Sequence, residues 1–375
     1  MTADALPTQA ARPARPAGRG ATPVLRRLHR WLGLGLGAWF ALLGLTGSLL
    51  VFTAEIETWG QAAPGPGPAQ PLAALVEAAR ASGPEGLLRV WPPAGAGQPL
   101  RADFRDRNGR VTRYLDPSSG AVLGTVRQGS LWIHWVHDLH RGLLLGGLGD
   151  LLVGLLGLPL LALLLAGLAL WLQRDAVPWR EKLVALGGLR GRRRLANQHR
   201  AFGLRVLLPL LVAVVTGIGM AFPDTVQWGL YRLIRWGTPP GSAAGAGPVD
   251  LEGAVRLAGA LRPGWQVQFI DLPVPGRTTT IGVELAPPAP WPGQGISVQV
   301  DPASGALPEI GGGDPVGRIR GWIVALHDGT VLGLPHRLAL AGIGALPLVM
   351  GWLGLRLWWR SRQAKRQVRR RAAAA

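Results

Sequence analysis

His29, in LHRWLG, and His199, in QHRAFG, stand 170 residues apart, and each is followed 17 residues later by a Thr-Gly pair, Thr46-Gly47 and Thr216-Gly217. A second correspondence lies further along, where LHRGLLLG (Leu139 to Gly146) aligns with LHDGTVLG (Leu326 to Gly333), so that His140 answers His327. A neutral imidazole is a good iron ligand, and an iron centre held between two helices needs one imidazole from each side. Equivalent positions in two halves supply that, with His29 facing His199 at one membrane edge and His140 facing His327 at the other. His134 and His137 share the segment SLWIHWVHDLHRG with His140 and are alternative ligands, as is His336, which follows His327 without a counterpart in the first half. A single His-Arg at a helix start ordinarily contacts lipid headgroups; its recurrence in both halves is what favours a ligand role. Ionisable side chains at membrane depth are costly, which makes function the default explanation for them. Thr46 and Thr216 have a plainer reading, since Thr-Gly in a membrane helix commonly serves packing and back-bonding to the helix itself.

The elements that must carry these residues also recur. YLDPSSGA ending at Ala121 answers QVDPASGA ending at Ala306, Trp135 answers Trp322, and Pro159 and Trp171 answer Pro347 and Trp359. An internal repeat of this size sets the architecture. Each half reads as a helix, an extramembrane domain and a second helix.

Four apolar runs, about Leu32 to Phe52, Leu143 to Leu172, Ala201 to Phe222 and Leu338 to Trp358, each approach or exceed the roughly 20 residues that cross a bilayer. Backbone groups in lipid must be satisfied within the segment, so these runs are expected as helices. The first has a basic flank like a signal peptide, but it is long for a signal core and its His and Thr-Gly recur in the third run, so it is read as a retained helix. The net charge of +19 is concentrated in the N-terminal tail, the link from Arg174 to Arg205 with Arg192, Arg193 and Arg194, and the C-terminal tail through Arg371. All three lie on one side of a four-helix topology, which fits the positive-inside rule and argues against a nucleic-acid partner. Both termini are therefore expected in the cytoplasm of a bacterial inner membrane, and the two larger domains in the periplasm. The expected divisions are a basic tail (1–25), helix 1 (26–54), a first domain (55–130), helix 2 with a His-rich lead-in (131–174), a basic loop (175–198), helix 3 (199–223), a second domain (224–320), helix 4 with its His lead-in (321–360) and a basic tail (361–375).

Each outer domain reads as a small α+β module. In the first, PLAALVEAARAS is a helix, and LLRVWPP, PLRADFRDR and RVTRYLD are strands, the last two joined at Asn108-Gly109. In the second, DLEGAVRLAGAL is the helix, and WQVQFIDL, RTTTIGVEL and GISVQVD are strands. Asp-Pro-x-Ser-Gly closes each as a turn, and Pro- and Gly-rich stretches at Ala62 to Pro71 and Pro239 to Pro248 act as linkers. Neither module contains a carboxylate pair or nucleophile arrangement suited to catalysis. With no cysteine, the chain has no disulfide, iron-sulfur cluster, thiolate zinc site or CxxCH haem attachment. The GLGLG of helix 1 lies inside a span and is expected as a close-packing surface, not a nucleotide loop.

The order HRWLG, TG, DPSSG, LHRGLLLG, HRAFG, TG, DPASG, LHDGTVLG resembles the PepSY-associated transmembrane family over nearly everything from Arg26 to Arg360. That resemblance implies an α-helical integral membrane protein with four transmembrane helices, pseudo-twofold duplicated, carrying two small periplasmic PepSY-like domains. It further implies a transmembrane electron carrier of the ferric-siderophore reductase type, with two non-covalent b-type haems, acting on a periplasmic ferric chelate and fed by a separate donor, a quinol or a cytoplasmic reductase. On this reading His29, His199, His140 and His327 ligate the haem irons, and Arg30, Arg200, Arg141 and Arg337 pair with haem propionates. Asp328 stands where the first half has Arg141, so a propionate partner is missing there. Two other classes fit the pattern: a haem-free membrane anchor whose PepSY modules bind or inhibit a periplasmic partner, and a permease, although few membrane-embedded charges mark a substrate path.

Overall fold

The computed structural model describes residues 21–83, 86–93, 95, 97–173, 183–234, 241–245, 247–288, 291–312 and 314–374. Most of the basic N-terminal tail and the stretch from Arg174 to residue 182 lie outside the described residues. Four helices are long and apolar enough to cross a membrane: α1 (Ala21–Leu50), α5 (Gly146–Leu172), α6 (Gly191–Ala221) and α10 (Leu334–Ala373). Between them, α2 (Thr53–Thr58) and α3 (Leu72–Ala81) precede strands β1 (Gly86–Trp91), β2 (Leu100–Asp106), β3 (Gly109–Leu115) and β4 (Val122–Arg127), and α4 (Trp132–Gly142) leads into α5. The second half repeats the order with α7 (Pro223–Ile234), β5 (Gly241–Ala243), α8 (Leu251–Ala260), β6 (Gln266–Asp271), β7 (Ile281–Ala286), β8 (Ile296–Val300), β9 (Leu307–Gly312) and α9 (Pro315–Asp328) before α10.

Around the bundle, α1 packs against α5 and α10, and α6 packs against the same two, so α1 and α6 face each other across the middle. The closest crossing joins α1 to α10, where a Cβ on Gly44 would lie 3.1 Å from the carbonyl carbon of Gly344 and Ser48 Oγ donates to Ala341 O at 2.8 Å. GLGLG packs more loosely: a Cβ on Gly33 would meet Leu163 of α5 at an ordinary 3.7 Å and nothing lies within 4 Å of one on Gly35 or Gly37, while the tightest approach of α1 to α10 sits two to three turns beyond Gly37. Pro159, Pro209 and Pro347 lie inside α5, α6 and α10.

Three boundaries differ from expectation, one of them at helix 4, which runs on to Ala373 through most of the stretch expected as a basic tail. The lead-in and span of helix 2 are separate helices, because Leu143 and Leu144 adopt left-handed backbone (φ 54° and 61°) that ends α4 and turns the chain into α5. In the second half, Gly329 (φ 77°) ends α9 in the same way before α10. Helix 3 begins at Gly191, eight residues before His199, so Arg192, Arg193 and Arg194 form its first turn.

The strands expected as two modules form one antiparallel sheet of nine strands in the order β4-β3-β2-β1-β6-β7-β8-β9-β5. The join is the β1–β6 pair, in which Arg89 opposes Asp271 and Val90 opposes Ile270. Helices α3 and α8 cover one face, burying Leu75, Val76, Ala79, Ala254 and Ala258 against Val90, Ala102, Phe104, Ile270, Val283 and Val298. Strands β4, β5 and β9 were not anticipated; β9 follows the second Asp-Pro-x-Ser-Gly turn as β4 follows the first. Those turns close as expected. Gly120 and Gly305 take φ of 77° and 66°, and hydroxyl and backbone donors around Asp116 and Asp301 hold both carboxyls below the usual carboxylate range.

Candidate functional site

His29 and His199 belong to α1 and α6, the two helices that face each other across the bundle, and their ring centres are 6.1 Å apart. His140 of α4 and His327 of α9 meet at the end nearest the sheet, with ring centres 6.2 Å apart. Two imidazoles sharing one metal ion along an axis, each with a bond of about 2 Å and a ring radius of about 1 Å, would place their centres about 6 Å apart. Both pairs have that spacing.

The surroundings orient each ring. Thr46 Oγ1 donates to Leu42 O at 2.8 Å, which uses its proton, so at 2.8 Å from His140 Nδ1 it accepts the ring N–H. Thr216 does the same, donating to Val212 O at 2.7 Å and accepting from His327 Nδ1 at 3.0 Å. Nε2 of each ring is then the unprotonated nitrogen, free to act as a ligand. At the far end His29 Nδ1 donates to Leu163 O at 3.0 Å, leaving Nε2 unprotonated there too. His199 Nδ1 is buried without a partner, the one departure from this pattern.

Four glycines make room for the four rings. A Cβ added to Gly47 would lie 3.2 Å from Cε1 of His140, and one added to Gly217 would lie 3.2 Å from Cε1 of His327. At the far end Gly167 of α5 stands 3.0 Å from Cε1 of His29 by the same measure, and Gly354 of α10 3.6 Å from Cε1 of His199. The Thr-Gly pairs expected to serve packing thus have both roles, since Thr46 and Thr216 back-bond to their helices and also hold a histidine. The recurrence of Thr-Gly at a fixed distance from His29 and His199 was the available signal for this; Gly167 and Gly354 had no comparable signature.

The other expected residues are placed elsewhere. His134 accepts from Gly129 N at 3.0 Å and meets Glu57 Oε1 at 3.0 Å, so both its nitrogens are engaged away from the pair. His137 is exposed beside Asp138. His336 has a buried Nδ1 without a partner and joins neither pair. Arg141 bonds Asp150 at 2.9 Å, and Arg337 caps the end of α1, donating to Val51 O at 2.7 Å and to Glu55 Oε1 at 2.6 Å. Arg200 donates to Ala196 O at 3.3 Å, and Arg30 lies exposed over Trp31. Trp132, Trp135 and Trp359 are exposed, and Trp322 stacks on Trp291.

Among the described residues there is no group of three or more His, Asp or Glu side chains placed to hold a bare metal ion. Two imidazoles are an incomplete set for a free ion, but His29 with His199 and His140 with His327 would suffice to hold an iron porphyrin, which brings its own nitrogen donors and would supply one-electron chemistry. The two ring spacings, and at His29, His140 and His327 an Nδ1 hydrogen bond that leaves Nε2 unprotonated, fit b-type haem.

Four helices long and apolar enough to cross a bilayer, with a large antiparallel sheet at one end, define an integral membrane protein. The chain belongs to the family described as PepSY-associated TM region, whose match covers residues 26–361, nearly its whole length. Comparison with curated proteins finds no match.

Proposed function

We propose that this protein is a di-haem b inner-membrane oxidoreductase that carries electrons across the bilayer to a periplasmic ferric chelate, one electron converting each ferric ion to ferrous and so loosening the chelate's hold. The reading is carried by one observation: the paired ring spacings of 6.1 and 6.2 Å at opposite ends of α1 and α6. Haem bound at these pairs would supply reversible one-electron chemistry at each membrane face. The protein's part is to hold the rings. Thr46, Thr216 and Leu163 O fix which nitrogen is free, and Gly47, Gly217, Gly167 and Gly354 allow the approach of the helices. The repeated element order supports an origin by duplication, and the arginine-rich segments at the end of the bundle away from the sheet support a periplasmic sheet with both termini in the cytoplasm. The donor would be a quinol or a cytoplasmic reductase.

The visible spectrum of the purified protein tests this. Paired imidazoles give a sharp Soret band that moves on dithionite reduction, and His29→Ala or His199→Ala should remove one haem and leave the other. A protein without a Soret band after expression with ample haem would leave the membrane-anchor reading in its place. Retention of both haems in both variants would refute the pairing.

A further inference from the structure

On the sheet face opposite α3 and α8, a cleft of about 260 Å³ opens at the join of the two halves, lined by Leu88, Arg89, Trp91, Arg101, Asp103, Arg110 and Asp271. Register places these side chains together, since residues directly opposed in antiparallel strands share a face. Trp91 opposes Arg101, Arg89 opposes both Asp103 and Asp271, and Arg101 opposes Tyr114. Tyr114 interacts with Glu57 of α2, which also meets His134 of α4. The cleft therefore lies on the sheet face turned toward the bundle, at the end where His140 and His327 meet.

The carboxylates here are already committed to aiming guanidinium groups. Arg89 places Nε and Nη2 on Asp271 at 2.5 and 2.8 Å, with its plane 3.9 Å from the Phe269 ring. Arg101 places Nε and Nη2 on Asp103 at 3.2 and 3.3 Å and lies 4.3 Å over Trp91, while Thr112 adds a 2.8 Å bond to the same Asp103. Each arginine keeps its Nη1 donors clear of those carboxylates, and Arg110 has no ion-pair partner among the described residues. Burial pushes Glu284, the next carboxyl group along this face, up toward its neutral form. Three guanidinium groups thus stand against two engaged carboxylates, with donors in the planar fork that carboxylates accept.

Resting on the ferric-chelate reading, we infer that this cleft binds the substrate and that the substrate is a small carboxylate-bearing chelate of the hydroxycarboxylate class. The cleft is slightly below the roughly 300 to 1,000 Å³ of typical small-molecule sites, which favours a compact anion over a bulky peptidic siderophore. The aromatic rings of Trp91 and Phe269 support the arginine planes and fix their direction.

Gallium citrate, which cannot be reduced, separates binding from electron transfer. Titrated calorimetrically into the full-length, haem-loaded protein in detergent, it should bind saturably. Arg110→Ala and Arg101→Ala should each weaken it about tenfold to a hundredfold with an unchanged Soret band. Arg110 is exposed, so its variant folds and carries the test if the Arg101 variant does not. No saturable binding, or equal binding in wild type and Arg110→Ala, overturns the inference. A missing Soret band in the wild type would instead defeat the haem reading, and the titration would still report on the cleft.

Discussion

On the proposed di-haem reading, alanine at Gly167 should expel haem from the His29–His199 end, whereas alanine at Gly354 should not. The two glycines occupy equivalent places on α5 and α10, yet the added methyl group would meet the ring of His29 at 3.0 Å in one case and that of His199 at 3.6 Å in the other. Carbon atoms prefer separations of about 3.5 to 4.0 Å, so Gly167→Ala requires the His29 ring to retreat by about half an ångström. Metal–ligand bonds tolerate about 0.2 Å, and the retreat also disturbs the bond from Nδ1 to Leu163 O. Overpacking of this kind costs about 1 to 3 kcal/mol, which corresponds to roughly a fivefold to 150-fold loss of haem affinity. Gly354→Ala stays within ordinary contact and should hold affinity to within about twofold. Both changes place alanine in a helix interior, worth about 0.5 to 1 kcal/mol in favour of the fold, so in the haem-free protein, where the His29 ring is free to retreat and no bound ligand adds to stability, Gly167→Ala should not lower the unfolding temperature. Haem occupancy from the reduced difference spectrum, measured beside thermal unfolding, gives both quantities. Equal haem loading in the two variants, or equal loss, would show that the glycines are not ring seats. At the sheet end, Gly47→Ala and Gly217→Ala meet their rings at the same 3.2 Å and should cause equal losses.

Thr46→Val removes the acceptor for His140 Nδ1 and should weaken haem at the sheet end by about 10- to 100-fold, with Thr46→Ser restoring it and the His29–His199 haem unaffected; titration of haem into the apoprotein measures this. Ile270→Ala, at the fully buried join of the sheet, should cost about 2 to 5 kcal/mol of stability in thermal unfolding followed by circular dichroism. Arg337 holds the Glu55 carboxyl below its ordinary value, so the pair's contribution is present above the unfolded carboxyl's range and is lost as pH falls through the folded value. Because Glu55 is largely exposed the effect should stay under about 1 kcal/mol, and Glu55→Gln should abolish that part of the acid-side slope in unfolding measured from pH 7 to pH 3.

The four spans and both histidine pairs were legible because each rests on a pattern that one sequence displays fully: apolar runs of sufficient length, and motifs present twice at fixed separation. The helix breaks were less so. Left-handed backbone at Leu143 and Leu144 is uncommon for residues with a Cβ, and nothing local marks it, whereas Gly329 in the second half is an ordinary sign of a helix end. The continuous sheet was not legible at all. Its join depends on β1 and β6, strands separated by most of the first half and half of the second, meeting through two register pairs that neither strand specifies alone. Arg141 and Arg337 illustrate the same limit at the site: proximity in sequence to a histidine suggested a shared ligand, but carboxyl groups at Asp150 and Glu55, reachable only in three dimensions, take their guanidinium groups.

The Thr-Gly spacing explains why a single helix can serve both ends. Gly47 follows His29 by 18 residues, and Gly217 follows His199 by 18. At about 3.6 residues per turn that is five whole turns, and at about 1.5 Å per residue it is about 27 Å, close to the hydrocarbon thickness. Each of α1 and α6 therefore presents, along one stripe, its own imidazole at one edge and, at the other, a seat for an imidazole from α4 or α9. The stripe that carries His29 toward His199 is the stripe against which His140 and His327 rest, so one pairing of α1 with α6 builds both sites. A change in the helix crossing would disturb the two pairs together. This is a reason for the sheet to run unbroken across the join: by tying the two halves through Arg89, Asp271, Val90 and Ile270, it restrains the one geometric variable on which both pairs depend.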